Sequence, residues 1–397
     1  MSPLRDFTQP AVRRAWIRRV LGPIDEAKWN ELARELFAWQ FVRVPAYRRL
    51  CLAHRITPQR LESWRDIPAV PQQLFKREKL YGHGTARPAA VYETSGTTTG
   101  QPGRQHLLRI DIYRTISVEG ARRAGLLKNP AASNGVFEVA AAVPAAVRRS
   151  ESDGYQLHAA ISTPQLHFLT PSPHEAPHSS LSTMFGFWQK ATRQTGPCFW
   201  MRRDKFEFAS LRETLIAQIK IRCPIAICGT AFSFAHLIDA WSGLPPLRLP
   251  RGSWLLETGG FKGRSREISK TELYAQLSRL FSIPDNSIWN EYGMSELSSQ
   301  AYARGTSGLH EVPPWTRVLV CDPTTGREVR IGQRGLIRWI DLANVDSVMA
   351  LQTLDVAERM PHGFRLIGRL PRTEPRGCSL SAEDLKEPNL KISKDDL

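Results

Sequence analysis

From residue 91 onward the chain alternates short apolar runs with stretches whose apolar residues recur at helical spacing, and this alternation restricts the fold more than any other feature. The runs fall at 135–143, 198–201, 224–228, 254–257 and 287–290, and the helical patterns at 109–127, 178–190, 205–221, 231–241 and 269–281. Strand and helix in alternation predict an α/β large domain with mostly parallel sheets flanked by helices. Upstream, residues 8–42 predict two helices, the second carrying Trp29, Leu32, Ala33, Leu36 and Phe37 on one buried face. After Ala301 the pattern changes. A strand at Arg317–Cys321 runs into the turn Asp322-Pro323-Thr324-Thr325-Gly326, a second apolar run covers 335–340, and a last hairpin is expected at His362-Gly363, which together predict a small antiparallel β subdomain. The expected division is an N-terminal helical segment of the large domain at 1–80, an α/β core at 81–300, the small β subdomain at 301–367 and a short mobile C-terminal segment at 368–397.

With 397 residues, 42% of them hydrophobic and 23% charged, the chain can bury a large core, and disordered and collagen-like classes are excluded. No run of about 18 apolar residues is present, so no membrane span is expected. The start, Met1-Ser2-Pro3-Leu4-Arg5-Asp6, lacks the pattern of a signal peptide. The six cysteines (51, 198, 223, 228, 321 and 378) form no CxxC pair and have no matched histidine spacing. That argues against a disulfide framework and a zinc site, and for the reducing cytoplasm. The formal charge of +16 comes from 54 Lys and Arg against 38 Asp and Glu. The basic residues are spread from Arg5 to Arg376 without a basic tract or a reading motif, which argues against a nucleic-acid partner and leaves the steering of anionic ligands or an acidic partner.

Four segments concentrate groups that suit a nucleotide. In Glu93-Thr94-Ser95-Gly96-Thr97-Thr98-Thr99-Gly100-Gln101-Pro102-Gly103-Arg104, hydroxyls and glycines follow an expected strand. Glycines let the backbone approach a phosphate, and the hydroxyls donate to its oxygens; a Ser/Thr-rich hairpin turn is the plain alternative, and no Gly-Lys-Ser/Thr of a Walker loop follows. Asn290-Glu291-Tyr292-Gly293-Met294-Ser295-Glu296 ends an expected strand, where ligands bind in open α/β sheets. Tyr292 offers a ring and Glu296 a hard oxygen for a phosphate-bound Mg²⁺, against an ordinary loop with a solvated glutamate. Glu257-Thr258-Gly259-Gly260 and Leu351-Gln352-Thr353-Leu354-Asp355 repeat the pattern of a glycine or an acid at a strand end. The Asp355 carboxylate suits ribose hydroxyls; a turn and a surface aspartate are the alternatives.

Taken in order and followed by Gly368-Arg369, these segments closely resemble the successive core motifs of the adenylate-forming (acyl-activating) superfamily. One extra threonine in the first loop and Gly103-Arg104 where a lysine is common depart from the usual pattern. Within the superfamily the chain is similar to the acyl-protein synthetases of the bacterial bioluminescence fatty-acid reductase complex, with phenylacetate-type CoA ligases as relatives. This likeness rests on Trp29-Asn30-Glu31-Leu32-Ala33 with Phe37, Gln40 and Pro45-Ala46-Tyr47, on Ile67-Pro68-Ala69-Val70-Pro71 with Leu74-Phe75-Lys76, on Ser179-Ser180-Leu181, on Thr258-Gly259-Gly260-Phe261-Lys262-Gly263, and on Arg376-Gly377-Cys378-Ser379-Leu380.

The resemblance implies an ATP- and Mg²⁺-dependent ligase that activates a carboxylic acid, fatty or aryl, as its acyl-adenylate. It implies Thr94, Ser95, Gly96, Thr97, Thr98, Thr99 and Gly100 around the phosphates, Mg²⁺ on Glu296, and Asp355 with Arg369 on the ribose. Tyr292 and the Gly259-Gly260 backbone would lie around adenine and the acyl end. Cys378 matches the cysteine that holds the acyl group as a thioester, and Arg372 and Arg376 would lower its pKa; an incidental cysteine in a tail is the alternative. The implied partner is an acyl reductase or an acyl carrier protein. Two other functions stay open from sequence: a ligase that uses free CoA and leaves Cys378 idle, and a non-catalytic nucleotide or nucleic-acid binding protein.

Overall fold

In the computed structural model, residues 5–82, 84, 86–94, 102–128, 163–202, 205–259, 268–306 and 308–370 are described. Three helices come first, α1 (Pro10–Leu21), α2 (Glu26–Arg43) and α3 (Pro45–Ala53), followed by the two-residue strand β1 (Val70–Pro71) and a 3₁₀ turn at Gln72–Lys76. A hairpin of β2 (Ala90–Glu93) and β3 (Arg104–Leu107) leads to α4 (Asp111–Arg123), β4 (Gln165–Leu169), α5 (Ser180–Ala191), the short pair β5 (Met201–Arg202) and β6 (Lys205–Phe206), and α6 (Phe208–Lys220). Then β7 (Ile225–Thr230), α7 (Ala231–Ala240), β8 (Trp254–Thr258), α8 (Lys270–Phe281), β9 (Ile288–Tyr292) and β10 (Ala301–Arg304) complete the larger part. The chain ends in β11 (Thr316–Cys321), β12 (Arg334–Asp341), β13 (Ala350–Met360) and β14 (Gly363–Arg369).

The helices start where side chains can cap them. Asp25 accepts the Lys28 amide, and Ser179, Thr230 and Ser269 accept the amides of Ser182, Ser233 and Glu272; each cap satisfies an amide that the first helical turn leaves without a partner. Pro10 and Pro45 occupy the first positions of α1 and α3, where a missing N–H costs nothing. In α2 the expected face is buried, and Trp29, Leu32, Ala33, Leu36 and Phe37 are inaccessible to solvent. Removing each large apolar side chain among them from water contributes about 1.5–3 kcal/mol.

Two sheets organise the molecule. The first has the order β10-β9-β8-β7-β4, with β4, β7, β8 and β9 parallel and β10 antiparallel to β9. Its central strands are buried at every or nearly every position and read as continuous apolar runs because helices cover both faces. The second is antiparallel, with β12 between β11 and β13, and β14 folding back on β13 through the turn at Pro361-His362. A parallel strand from far upstream joins it, since β1 pairs Val70 with Leu351 and Pro71 with Gln352. The apolar run expected at 198–201 is displaced: Phe199 makes a single bridge to Phe168 and the strand itself is Met201–Arg202. The run at 135–143 and the C-terminal segment from 371 lie outside the described residues.

The N-terminal helices brace the turn between β12 and β13. Buried Arg13 on α1 donates to Asp346 Oδ1 at 2.6 Å and Oδ2 at 3.0 Å and to Asp111 at the start of α4 at 2.9 Å. From α2, Gln40 Nε2 donates to the carbonyl of Asn344 at 2.7 Å while its Oε1 accepts the amide of Met349 at 2.9 Å. A buried charge needs such partners, because leaving it without them costs several kcal/mol. The turn that these contacts fix carries Asn344, which reaches the site described next.

Candidate functional site

Tyr292 stands at the end of β9, its ring stacked on Trp339 with centroids 5.7 Å apart and edge-on to Phe364 at 5.3 Å. Its hydroxyl donates to Asp355 Oδ2 at 2.9 Å. Burial, and then the neighbouring Asp355 charge, push the Tyr292 phenol well above its ordinary range, so it stays a neutral donor. Asp355 on β13 lies opposite Arg369 on β14 in the strand register, and the two side chains approach to 3.7 Å between Oδ1 and Nε. The Arg369 side chain keeps 47% of its surface exposed. This pair belongs to a cross-strand ladder whose Arg369 end is open to solvent.

Arg369 also donates through Nη2 to Gln72 Oε1 at 2.7 Å, and Gln72 Nε2 donates to Glu296 Oε1 at 3.1 Å. Tyr292, Asp355, Arg369, Gln72 and Glu296 thus form one continuous polar chain built from β9, β13, β14, the 3₁₀ turn after β1 and the loop after β9. Glu296 is buried at 2% exposure. Its backbone is gripped from two directions, as the Glu296 carbonyl accepts Asn344 Nδ2 at 2.9 Å and Gln105 Nε2 at 3.2 Å, with Gln105 also donating to Asn344 Oδ1 at 2.8 Å. The loop is pinned further along by Ser298 and Ser299, whose backbone amide and hydroxyl donate to buried Asp341.

The Thr94 loop is rooted beside the same place. Its root is the closed end of the β2/β3 hairpin: the Thr94 amide donates to the Gly103 carbonyl at 2.9 Å, and the Gly103 amide donates to Thr94 Oγ1 at 2.9 Å. Ser295 Oγ donates to the Glu93 carbonyl at 3.2 Å, so the residue before Glu296 is tied to the residue before Thr94. Ser95, Gly96, Thr97, Thr98, Thr99 and Gly100, and likewise Gly260 and Cys378, lie outside the described residues.

Gly259 follows β8 with φ of +71°, a conformation that favours glycine. On the preceding residue, Thr258 Oγ1 donates to the Glu291 carboxylate of β9. At Gly293 a Cβ would meet the end of the Glu291 side chain, which would have to shift. Glu257, one residue before Thr258, turns to the other face of β8. It accepts Asn290 Nδ2 at 2.6 Å and the Tyr274 hydroxyl of α8 at 3.3 Å. Complete burial pushes the Glu257 carboxyl up to about 7, against the pull of Lys270. Asn290 Oδ1 in turn accepts from His310 Nε2 at 2.8 Å; burial pulls His310 down to about 3, so it is neutral, with its ring stacked on Phe364 at 5.0 Å.

The sequence-predicted residues Tyr292, Glu296, Asp355 and Arg369 are therefore brought together, with Thr94 at the adjoining hairpin. Gln72, which joins two of them, was not singled out by sequence: it falls between the two stretches 67–71 and 74–76 that carried the family likeness, and an amide after a two-residue strand has no chemical signature. Among the described residues no group of three or more His, Cys, Asp and Glu side chains could hold a metal. One buried carboxylate suits Mg²⁺ all the same, because this ion is commonly held by one or two carboxylates together with substrate phosphates and water. No helix among the described residues is long and apolar enough to cross a membrane.

No family model matches the chain. Among curated proteins it is similar to the long-chain-fatty-acid–luciferin-component ligase of Aliivibrio fischeri, 21% identical over 376 residues that cover 91% of this chain and 89% of the relative. Among solved structures it is similar to 2-hydroxyisobutyryl-CoA ligase in the postadenylation state in complex with 2-HIB-AMP, with a TM-score of 0.60, 16% identity, and coverage of 89% of this chain and 70% of that one. The same ligase in complex with 2-HIB-AMP and CoA in the thioesterification state gives a TM-score of 0.59 at 18% identity, over 92% of this chain and 70% of that one. The expected fold, that of the adenylate-forming ligases, is borne out, as are the likeness to a fatty-acid ligase and the expected enzyme class, a ligase.

Proposed function

We propose that the protein activates a carboxylic acid with ATP as an acyl-adenylate and passes the acyl group through Cys378 to a partner protein. The observation that carries this reading is the polar chain Tyr292–Asp355–Arg369–Gln72–Glu296, in which members of three separate sequence motifs meet around one partly open guanidinium. In the first step a carboxylate oxygen attacks the α-phosphorus of ATP, a P–O bond forms, and the bond to pyrophosphate breaks with its electron pair leaving on pyrophosphate. Such a transfer asks the protein for alignment and charge stabilisation above all. Asp355 accepts from ribose hydroxyls while Tyr292 keeps its carboxylate turned. Arg369 offers its remaining N–H groups to the nucleotide, and the loop rooted at Thr94 supplies hydroxyl and amide donors to the phosphates. Glu296 would hold Mg²⁺, which neutralises charge on the phosphates when bound.

In the second step the Cys378 thiolate attacks the acyl carbonyl, the C–O bond to AMP breaks, and AMP leaves with the electron pair. An acyl reductase or an acyl carrier protein then takes the acyl group. The five cysteines in the described residues are all free thiols, which agrees with a reducing compartment, the cytoplasm.

Incubation with ATP, Mg²⁺ and a panel of radiolabelled fatty and aryl acids tests this. The expected result is label on the protein that neutral hydroxylamine removes, with most of it lost in Cys378→Ser although acyl-adenylate still forms, because a serine hydroxyl is far less ionised than a thiol. Normal labelling of the serine variant would overturn the role of Cys378. Acylation of added CoA at full rate without any protein adduct would make the protein a CoA ligase instead.

A further inference from the structure

We propose, resting on the acid-activating reading above, that Gln72 is a positioning residue whose carboxamide holds Glu296 and Arg369 apart so that both charges remain available to a metal-bound nucleotide. A single amide makes one bond to each: it donates to Glu296 Oε1 and accepts from Arg369 Nη2. Each bond has one ionised partner, the stronger kind of hydrogen bond. Neither bond changes the formal charge of its partner. Without the spacer, a carboxylate and a guanidinium bridged through one side chain are free to pair directly, and such a pair would withdraw the anion from the metal and the cation from the nucleotide.

The backbone that carries Gln72 is fixed on both sides. Pro71 pairs with Gln352, three residues before Asp355 on the same strand, and Leu74 and Phe75 of the following turn are buried in the core. Arg369, by contrast, ends β14, so its guanidinium is oriented by its side-chain partners, Asp355 and Gln72. The residue type is the informative point. A glutamate at 72 would bind Arg369 and repel Glu296, and a lysine would do the reverse; only a neutral group with both a donor and an acceptor serves both neighbours.

These opposite preferences supply a readout that a merely structural role would not move. The factor by which Mg²⁺ strengthens binding of a non-hydrolysable ATP analogue, measured by calorimetry with Mg²⁺ and with EDTA, is a coupling between metal and nucleotide. In Gln72→Lys the ammonium competes for the Glu296 oxygen, and the factor should fall about tenfold; in Gln72→Glu a second carboxylate adjoins the first, and it should rise about threefold. Gln72→Leu should lose nucleotide affinity with Mg²⁺ present. Melting temperatures identify any variant that fails to fold, and the remaining charged variant still decides the sign. Shifts of the lysine and glutamate variants in the same direction, or no shift in either, would overturn the proposal. If the wild type binds the analogue with Mg²⁺ but releases pyrophosphate with no acid, the activation reading fails while the opposed shifts still decide the role of Gln72. If it binds no nucleotide at all, both fall.

Discussion

Asn290 and Tyr292 lie one pleat apart on the same face of β9, yet the polar groups around them are arranged to opposite ends. Around Asn290, which accepts from neutral His310, the Glu257 carboxyl accepts from Tyr274 and the Asn290 amide, and burial drives it toward its protonated form against the pull of Lys270. Around Tyr292, Asp355 of β13 faces Arg369 of β14, whose guanidinium is about half exposed. The hydrogen-bond partners of the inner acid are themselves buried, whereas the outer acid shares Arg369 with solvent. Burial alone therefore does not separate the two acids, Glu257 and Asp355, both of which are buried; the exposure of their partners does.

The largest expected effect breaks the comparison from the inner side. The folded-state value of Glu257, about 7, lies above its ordinary 4.5. A carboxyl raised in this way favours the folded state when protonated, and that contribution fades as pH rises from the unfolded value through the folded one. Glu257→Gln keeps an acceptor for Asn290 and Tyr274 without the charge. Relative to wild type, the variant should therefore gain about 3 kcal/mol in unfolding free energy between pH 4.5 and pH 8, read by urea titrations at each pH. Nucleotide affinity should be unchanged. A flat difference would mean that Glu257 does not titrate across this window, and a large loss of nucleotide binding would move it into the site.

A smaller effect is expected from the outer cluster, and of a different kind. Asp355→Ala should raise the KM for ATP about tenfold or more, on the order of 1.4 kcal/mol, and leave the KM for the acid within about twofold. Tyr292→Phe removes only the hydroxyl that orients Asp355 and should cost about 1 kcal/mol of the same affinity. An effect of Asp355→Ala confined to the acid would relocate that residue to the acyl pocket. Equal losses of stability in the Asp355 and Glu257 variants would erase the distinction between the two clusters.

Much of this architecture was legible in the sequence, for identifiable reasons. The strands β7, β8 and β9 are buried almost throughout, so they appear as unbroken apolar runs, and the helices between them begin at Thr230 and Ser269, residues that cap. Tyr292, Glu296, Asp355 and Arg369 were legible because chemically suited residues occur in a recognisable order along the chain. Gln72 was not. Its position depends on Val70 and Pro71 pairing with a strand near the far end of the chain, and a two-residue strand carries no periodicity. The inner cluster was hidden for another reason: Glu257 becomes a buried acid only when α8 lays Tyr274 against it, which is tertiary packing and leaves no local mark.

The central claim is that the outer cluster activates an acid at the expense of ATP, and carboxylate-dependent ATP–pyrophosphate exchange measures that reversal directly. With Mg²⁺ and the cognate acid, wild-type protein should return labelled pyrophosphate into ATP, with no exchange when the acid is withheld. Glu296→Gln should reduce the rate at least about tenfold, because a neutral amide is a poorer ligand where phosphate charge accumulates, while Glu257→Gln should exchange at the wild-type rate. Exchange that persists at full rate in folded Glu296→Gln at limiting Mg²⁺, or that fails with every acid of a broad panel in protein that binds ATP, would contradict the account.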